Sequence, residues 1–266
     1  MSLAQLKDKV ILVTGANTGI GEHTARLCIA QGAKVAVHGR RPDAVQKVVD
    51  SLGPNAHGVI GSLDKGDDPA KVVAQTIDKF GRLDGVVNNA ASTARMFFED
   101  TEVDFFDTMM AINCRAPFMI CRAAIPYLKE SQGCVVNVGS INALGGERML
   151  AAYSVSKGAL LTLSKHLANL YDKDRVRFHH INLGWVLTEN EYKLKIKDGL
   201  SKDWPDQVPS LMVPRGEMTK PEEVAKVVVF WLSDDSKPFS GTVFELEQYP
   251  FAGRILSLDA DFIEGT

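Results

Sequence analysis

The sequence predicts an α/β fold: one doubly wound domain in which a seven-stranded parallel sheet lies between layers of helices. Three observations carry that prediction. Short β-branched runs alternate with helix-period stretches from residue 9 to residue 247, the pattern of repeated right-handed strand–helix–strand crossovers. A run such as CVVNV (134–138) is apolar throughout, as a parallel strand covered on both faces should be. No composition break, internal repeat or linker divides the 266 residues, so residues 1–266 are expected to form a single domain.

The first strand is KVILVTG, closed by Gly15, and the first helix shows apolar spacing from Ile20 to Ala30 with Gly32 as its stop. Between them lies Thr14-Gly15-Ala16-Asn17-Thr18-Gly19-Ile20-Gly21. Its three glycines remove the side chains that would hold a backbone turn away from a phosphate. The helix beyond directs free N–H groups and a positive dipole end at the same spot. A dinucleotide pyrophosphate fits there. A plain tight connection is the alternative, and the strand-before, helix-after context favours the pyrophosphate.

KVAVHG (34–39) is the second strand, and Pro42 after it is placed to open the helix PDAVQKVVDSLG. At this strand end an acidic residue would accept hydrogen bonds from a free ribose 2′-hydroxyl, whereas a guanidinium matches a 2′-phosphate. Arg40 and Arg41 therefore favour NADP. Asp43 keeps NAD possible, and two solvated loop arginines are the plain alternative.

HGVIGSL (57–63) is the third strand, followed by a helix over 67–81 with Val72, Val73, Ile77 and Phe80 on its apolar face. DGVVNNAA (84–91) is the fourth, ending in two asparagines that either close over a ligand or cap the strand end. Residues 101–130 read as one long helix or two abutting ones, with Thr101 as N-cap and Pro117 and Pro126 as interruptions. Asn113 stands on an apolar face there, either bonding backbone freed by a kink or facing a site.

The fifth strand, CVVNV, puts Ser140 at a carboxyl end, where open α/β sheets bind ligands. Tyr153 and Lys157 follow on a helical pattern, four apart and hence on one face. A free phenol ionises near pH ~10, and a cation a few ångströms away favours the phenolate and lowers that value. An ordinary amphipathic pair is the alternative. The small residues Ala151, Ala152, Ser154, Ser156 and Gly158 around the tyrosine favour close ligand approach.

RVRFHHINLGWVLT (175–188) is a sixth strand with an exit loop ending at Thr188, and of His179 and His180 one is expected to face the core and the other outward. From 189 to 218 the pattern loosens around Trp204, Pro205, Pro209 and Pro214, which reads as a substrate lid whose lysines form a solvated charged helix. PEEVAKVVVFWLSDD (221–235) restores a helix, GTVFELE (241–247) is the seventh strand, and a tail occupies 248–266.

Apolar residues are 45%, charged residues 24% and the net charge −3, an ordinary globular composition without a Lys/Arg block, so neither nucleic acid nor membrane is an expected partner. With no signal-peptide core and no run of transmembrane length, the protein is expected to be cytoplasmic. Four cysteines lack a C-x-x-C pair and six histidines lack H-E-x-x-H spacing, so reduced core thiols and no metal are expected.

Taken together, TGANTGIG (14–21), NNAA (88–91), Ser140 and Tyr153-x-x-x-Lys157 resemble the short-chain dehydrogenase/reductase family over essentially the full chain. The resemblance implies a Rossmann-type fold, a nicotinamide cofactor, and hydride transfer between C4 of its ring and a hydroxyl or carbonyl carbon of a small or medium-sized substrate. It implies that Tyr153 is the general acid/base, that Lys157 lowers its pKa and binds the nicotinamide ribose, and that Ser140 orients the substrate oxygen. Asn113 would position a lysine-bound water. Gly15, Gly19 and Gly21, with Asn17, Thr18 and Ile20, match the pyrophosphate turn. Leu63, Asn88 and Ala90 fall on the adenosine side, and Thr188 resembles a contact to the nicotinamide carboxamide.

Four positions depart from the family pattern. Ala91 replaces a glycine, Ser62 an aspartate that contacts adenine, and Leu183 the proline of Asn-Pro-Gly; Glu247-Gln248-Tyr249 replaces an acidic-Gly-Gly ending. The resemblance also implies a homo-oligomer, tetramer or dimer. A non-catalytic NAD(P)-binding redox sensor or structural partner is the main alternative, against which the complete Asn113, Ser140, Tyr153 and Lys157 set argues. An epimerase or dehydratase on nucleotide sugars ranks lower, because of the glycine spacing and the absence of a separate sugar-nucleotide domain.

Overall fold

A computed structural model describes residues 5–210 and 212–248. Its strands are β1 (Val10–Val13), β2 (Lys34–Gly39), β3 (Ala56–Ile60), β4 (Gly85–Asn88), β5 (Cys134–Ser140), β6 (Arg177–Leu183) and β7 (Thr242–Leu246). They pair in parallel in the order β3-β2-β1-β4-β5-β6-β7. The order turns round between β1 and β4, so the loops leaving those two strands diverge and open a crevice at their carboxyl ends.

The helices are α1 (Gly19–Ala30), α2 (Pro42–Leu52), α3 (Asp68–Phe80), α4 (Val103–Met110), α5 (Ala116–Ser131), α6 (Ala151–Leu170), α7 (Glu189–Lys197) and α8 (Pro221–Leu232). Alternation along β1 divides the core. Ile11 and Val13 pack with Ala25 and Cys28 of α1, Val45 of α2 and Val224 and Val228 of α8. Val10 and Leu12 pack with Val72 of α3, Ile120 and Leu128 of α5 and Leu167 of α6. Each fully buried aliphatic side chain contributes roughly 1.5–3 kcal/mol, which requires that both sheet faces be covered.

That double cover corrects the reading of β6. His179 and His180 are both fully buried. Neither face of the sheet meets water at β6: His179 stacks on Trp231 of α8 with ring centroids 4.4 Å apart, while His180 Nδ1 lies 2.9 Å from the Ser164 hydroxyl of α6.

The 101–130 segment is one continuous helical rod in which a π-turn, Ala111–Arg115, joins α4 to α5. Thr101 is not its N-cap. Glu102 holds that position, and Thr101 closes the preceding 3₁₀ turn by donating its hydroxyl to Phe97 O at 2.9 Å. Pro117 falls just after the π-turn and Pro126 lies inside α5 without ending it. The last helix stops at Leu232 rather than 235, because the Ser233 hydroxyl accepts from Asp235 N at 3.2 Å and starts a 3₁₀ turn.

The segment expected to be a lid contains α7, a charged helix with no fully buried residue, and a small core around Trp204, Val213 and Met218 on which Tyr192 and Ile196 of α7 pack. Of the tail at 248–266, only Gln248 lies within the described residues. The four cysteines are free, three of them buried. Among the described residues no helix is long and apolar enough to cross a membrane, and no group of three or more His, Cys, Asp or Glu could hold a metal ion.

Candidate active site

The glycine turn sits at the crevice between β1 and β4. Gly15 and Gly19 have φ of +62° and +55°, the left-handed region where a Cβ costs about 1–2 kcal/mol. Gly21 is needed for a different reason: a Cβ there would run into the Gly15 carbonyl and the Asn89 amide. Thr14 is the hub, its hydroxyl donating to Val87 O at 3.1 Å and accepting from Asn89 N and Ala90 N at 2.9 and 3.0 Å. The Asn89 amide donates to Thr14 O at 2.9 Å, so this asparagine braces the turn. Thr18, extended at the N-cap of α1, makes no side-chain capping bond. The first N–H groups of α1 thus stay open to an anion.

Ser140, Tyr153 and Lys157 meet at the carboxyl end of β5. Ser140 is the last residue of that strand, 7% exposed, and its hydroxyl accepts from Asn142 N at 3.2 Å. It also lies within hydrogen-bonding reach of the Tyr153 phenol. Tyr153 stands in the first turn of α6 and Lys157 one turn on, its ammonium 5.6 Å from the tyrosine ring centroid and donating to Val138 O at 2.8 Å.

The electrostatics differ from the sequence expectation. Burial pushes the Tyr153 phenol above its ordinary value; the bond to Ser140 opposes this and the Glu147 carboxylate adds to it. The Lys157 ammonium lies over the ring and donates to the Val138 carbonyl. The lysine is itself affected: with only 2% exposure and no ion pair among the described residues, burial brings its pKa down to about 8.

Asn113 is buried in the π-turn. Its Oδ1 accepts from Ser92 N at 2.8 Å, and its Nδ2 donates to Ser92 O at 2.9 Å and to the Ser156 hydroxyl at 3.0 Å. It therefore ties the loop after β4 to α6, next to Lys157. Pro117, four residues on, has no N–H to offer the Asn113 carbonyl.

Two positions expected on the adenosine side turn their side chains inward. Leu63 belongs to the core. The Asn88 amide donates to Asn137 Oδ1 at 2.8 Å, beginning a buried chain through Ser164 to His180. Only their backbones remain for a ligand. Ala90 packs on Gly15. Ser62, the departure next to Leu63, donates its hydroxyl to Asp64 Oδ1 at 2.5 Å. Arg40 and Arg41 are exposed at the end of β2 and make no ion pair among the described residues, Arg40 lying close enough to Asp64 to lower its pKa. Thr188 faces Gly19, its methyl 3.5 Å from where a Cβ would stand. Its hydroxyl oxygen caps α7, accepting from Glu191 N at 3.1 Å.

Two residues at the site escaped the sequence reading. His38, buried in β2, hydrogen-bonds the glycine turn; an alternating strand pattern gives no sign of such a bond. Trp185, just past β6, stacks on Trp204 at 5.4 Å and donates to Glu191 Oε1 at 2.9 Å, so it fastens the 189–218 segment to the sheet edge. Its place beside Gly184 was the available signal.

A doubly wound parallel sheet with an anion-ready glycine turn and a Ser-Tyr-Lys group across the crevice defines a Rossmann-type dinucleotide fold. Comparison with known proteins narrows the class. A family model described as enoyl-(acyl carrier protein) reductase matches residues 15–247. An uncharacterized oxidoreductase of Thermotoga maritima is 31% identical over 243 residues, covering 90% of this chain and 96% of the relative. Meso-2,3-butanediol dehydrogenase of Serratia marcescens is 30% identical, covering 88% and 91%, and a 3-oxoacyl-[acyl-carrier-protein] reductase of Thermotoga maritima 30%, covering 91% and 98%. Among solved structures, L-sorbose reductase from Gluconobacter frateurii, complexed with NADPH and L-sorbose, superposes with a TM-score of 0.86 at 24% identity, covering 92% of this chain and 97% of its own. The chain belongs to the short-chain dehydrogenase/reductase family of oxidoreductases.

Proposed function

We propose that this protein is an NADP-preferring oxidoreductase that transfers a hydride between a nicotinamide cofactor and a hydroxyl or carbonyl group of a small or medium-sized molecule, with Tyr153 as acid/base. The observation that carries the reading is the meeting of Ser140, Tyr153 and a buried, carboxylate-free Lys157 at one strand end. The named relatives are dehydrogenases and reductases, and the sorbose reductase was solved with NADPH.

The residues present fit such a cofactor, since the turn of Gly15, Asn17, Thr18, Gly19, Ile20 and Gly21 leads into α1, whose first N–H groups are not capped by the Thr18 side chain and would take a diphosphate. Arg40 and Arg41, exposed at the end of β2, would take a 2′-phosphate. The backbones of Leu63, Asn88 and Ala90 would border the adenosine, and Tyr153, Lys157 and Thr188 the nicotinamide half. The cofactor supplies or accepts the hydride. Ser140 holds the substrate oxygen by a hydrogen bond and Tyr153 exchanges the proton with it. A phenol raised by burial stays protonated at neutral pH, which suits delivery of a proton to a carbonyl oxygen. Lys157 then stabilises the phenolate left behind, as a fixed cation in a dry site.

The test follows nicotinamide absorbance over a panel of alcohols, polyols and ketones with NADPH and NADH, beside Tyr153→Phe. Loss of the acid/base should reduce kcat/KM by roughly 10²–10⁴-fold. Comparable turnover by the Phe variant would reject the assignment, and tight cofactor binding without turnover on any compound would move the chain to a non-catalytic, cofactor-binding role.

A second copy of the chain is the partner this reading includes. Val103, 72% exposed, Phe106, and Phe118, 51% exposed, leave an apolar stripe along α4 and α5. Beside it Asp107, Met110, Cys114, Arg115 and Phe118 line a groove of about 380 Å³. Asp107 and Arg115 lie four residues either side of Ala111, so an antiparallel copy centred there pairs opposite charges, as a two-fold contact requires. Light scattering should give the mass of a dimer or tetramer, and Phe118→Asp should lower it.

A further inference from the structure

We propose that His38 is a positioning residue for the adenosine half of the dinucleotide, its neutral ring joining the pyrophosphate turn to the loop that leaves β3 so that the two walls of the groove are held as one unit. The inference rests on the nicotinamide reading of the glycine turn. His38 is 3% exposed and every polar atom that it offers to this region is used. Nδ1 accepts from Gly15 N at 3.2 Å. Nε2 lies 3.2 Å from Gly61 O, and the His38 carbonyl accepts from Ala16 N at 2.8 Å. Gly39 O, one residue on, accepts from Gly61 N at 3.4 Å.

These partners leave one arrangement of the ring. The Gly15 amide can only donate and the Gly61 carbonyl can only accept, so Nδ1 carries the lone pair and Nε2 the proton. Burial keeps the ring neutral, its pKa down at about 4; a charged ring would turn a second N–H against Gly15. No other side chain makes a hydrogen bond to Gly15 N or Gly61 O among the described residues. Gly15 begins the turn that would cradle the pyrophosphate, and Gly61 leads into Ser62 and Leu63 on the adenine side. The imidazole therefore adds, beside these two backbone bonds, the side-chain link between the two loops that the adenosine diphosphate must span. Val45 of α2 and Asn17 close the remaining space at Gly39.

The experiment compares wild type, His38→Gln and His38→Leu by calorimetric titration with NADPH and with 2′-phospho-ADP-ribose, which lacks the nicotinamide, together with kcat at saturating cofactor. Glutamine keeps one acceptor and one donor; leucine keeps neither. Leaving two buried backbone groups unpaired should weaken both ligands about tenfold or more in the leucine variant, raise KM for the cofactor and leave kcat near wild type, with glutamine restoring most of the affinity. Equal affinity of leucine variant and wild type would overturn the proposal, as would a fall in kcat with cofactor affinity intact. If the leucine variant does not fold by circular dichroism, His38→Thr takes its place with the same expectation and the same overturning result. A wild type that binds neither NADPH nor NADH would instead overturn the nicotinamide reading, and this inference with it.

Discussion

Lys157 sits almost wholly out of water with one carbonyl, Val138 O, as its hydrogen-bond partner, and that environment gives it a titration within reach of an ordinary assay. Its ammonium is charged below about pH 8 and loses its proton as the pH rises through that value. If the charge supports proton transfer at Tyr153, kcat should fall on the alkaline side with a midpoint near 8 in a pH–rate profile. Lys157→Met should be slow throughout and lack that limb; a profile flat through pH 9 in wild type would separate the lysine from the chemistry. The Tyr-Lys pair itself was legible in the sequence, because helical geometry alone puts positions 153 and 157 on one face. The sense of the phenol's shift was not. It depends on how much protein surrounds the ring, on Ser140 and on Glu147, all of which arrive through tertiary packing. His38 was illegible for the same reason, as its partners Gly15 and Gly61 are each 23 residues away.

Among the elements, the 189–218 segment departs most from local pattern. The loosened periodicity after Thr188 marks where it begins, but its internal order depends on Trp185 and Tyr192, whose rings stack on Trp204 from 19 and 12 positions away. Its base is fastened from the far end of the chain. Gln248 accepts from Arg215 N at 3.0 Å and donates to Glu217 O at 2.6 Å, so a residue past β7 holds the strap where it returns to the sheet. Gln248→Ala should raise KM for the substrate severalfold, since each bond is worth about 1 kcal/mol, and leave cofactor affinity unchanged; equal rises in both would show that the contact serves general folding. The π-turn at Ala111–Arg115 was equally hidden. Sequence periodicity reads through it without a break, and only the tie from Asn113 to Ser92 and Ser156 shows why an extra residue is accommodated there.

For the molecule as a whole, the sheet was the most readable level: seven apolar runs separated by helical stretches admit few arrangements, and the observed parallel order is one of them. The burial of three histidines gives that fold a characteristic response to acid. His38, His179 and His180 are neutral in the native state, with pKa values down at about 4, 3 and 4 against an ordinary 6.5. The unfolded chain therefore takes up protons first as the pH falls. Their contribution is complete above pH 6.5 and shrinks as the pH drops toward each native value, by roughly 1.4 kcal/mol per histidine per pH unit. Urea unfolding at pH 7, 6 and 5 should show this decline. His179, whose two ring nitrogens have no hydrogen-bond partner among the described residues and which stacks on Trp231, offers the sharper check: His179→Phe should keep the stacking, remove one titrating group and make the decline shallower, and an unchanged slope would exclude it as a contributor.

The chain has three tryptophans, and their distribution makes the molecule its own optical gauge. Two of them, Trp185 and Trp204, lie face to face at the junction of strap and sheet, while Trp231 rests deep against an imidazole. Excitation of the first pair registers whether the strap is seated; emission from the third registers only whether the interior is intact. In a Trp231→Phe background, a change in emission on adding a compound would mark a movement of the cover, with no label attached and before any turnover is measured.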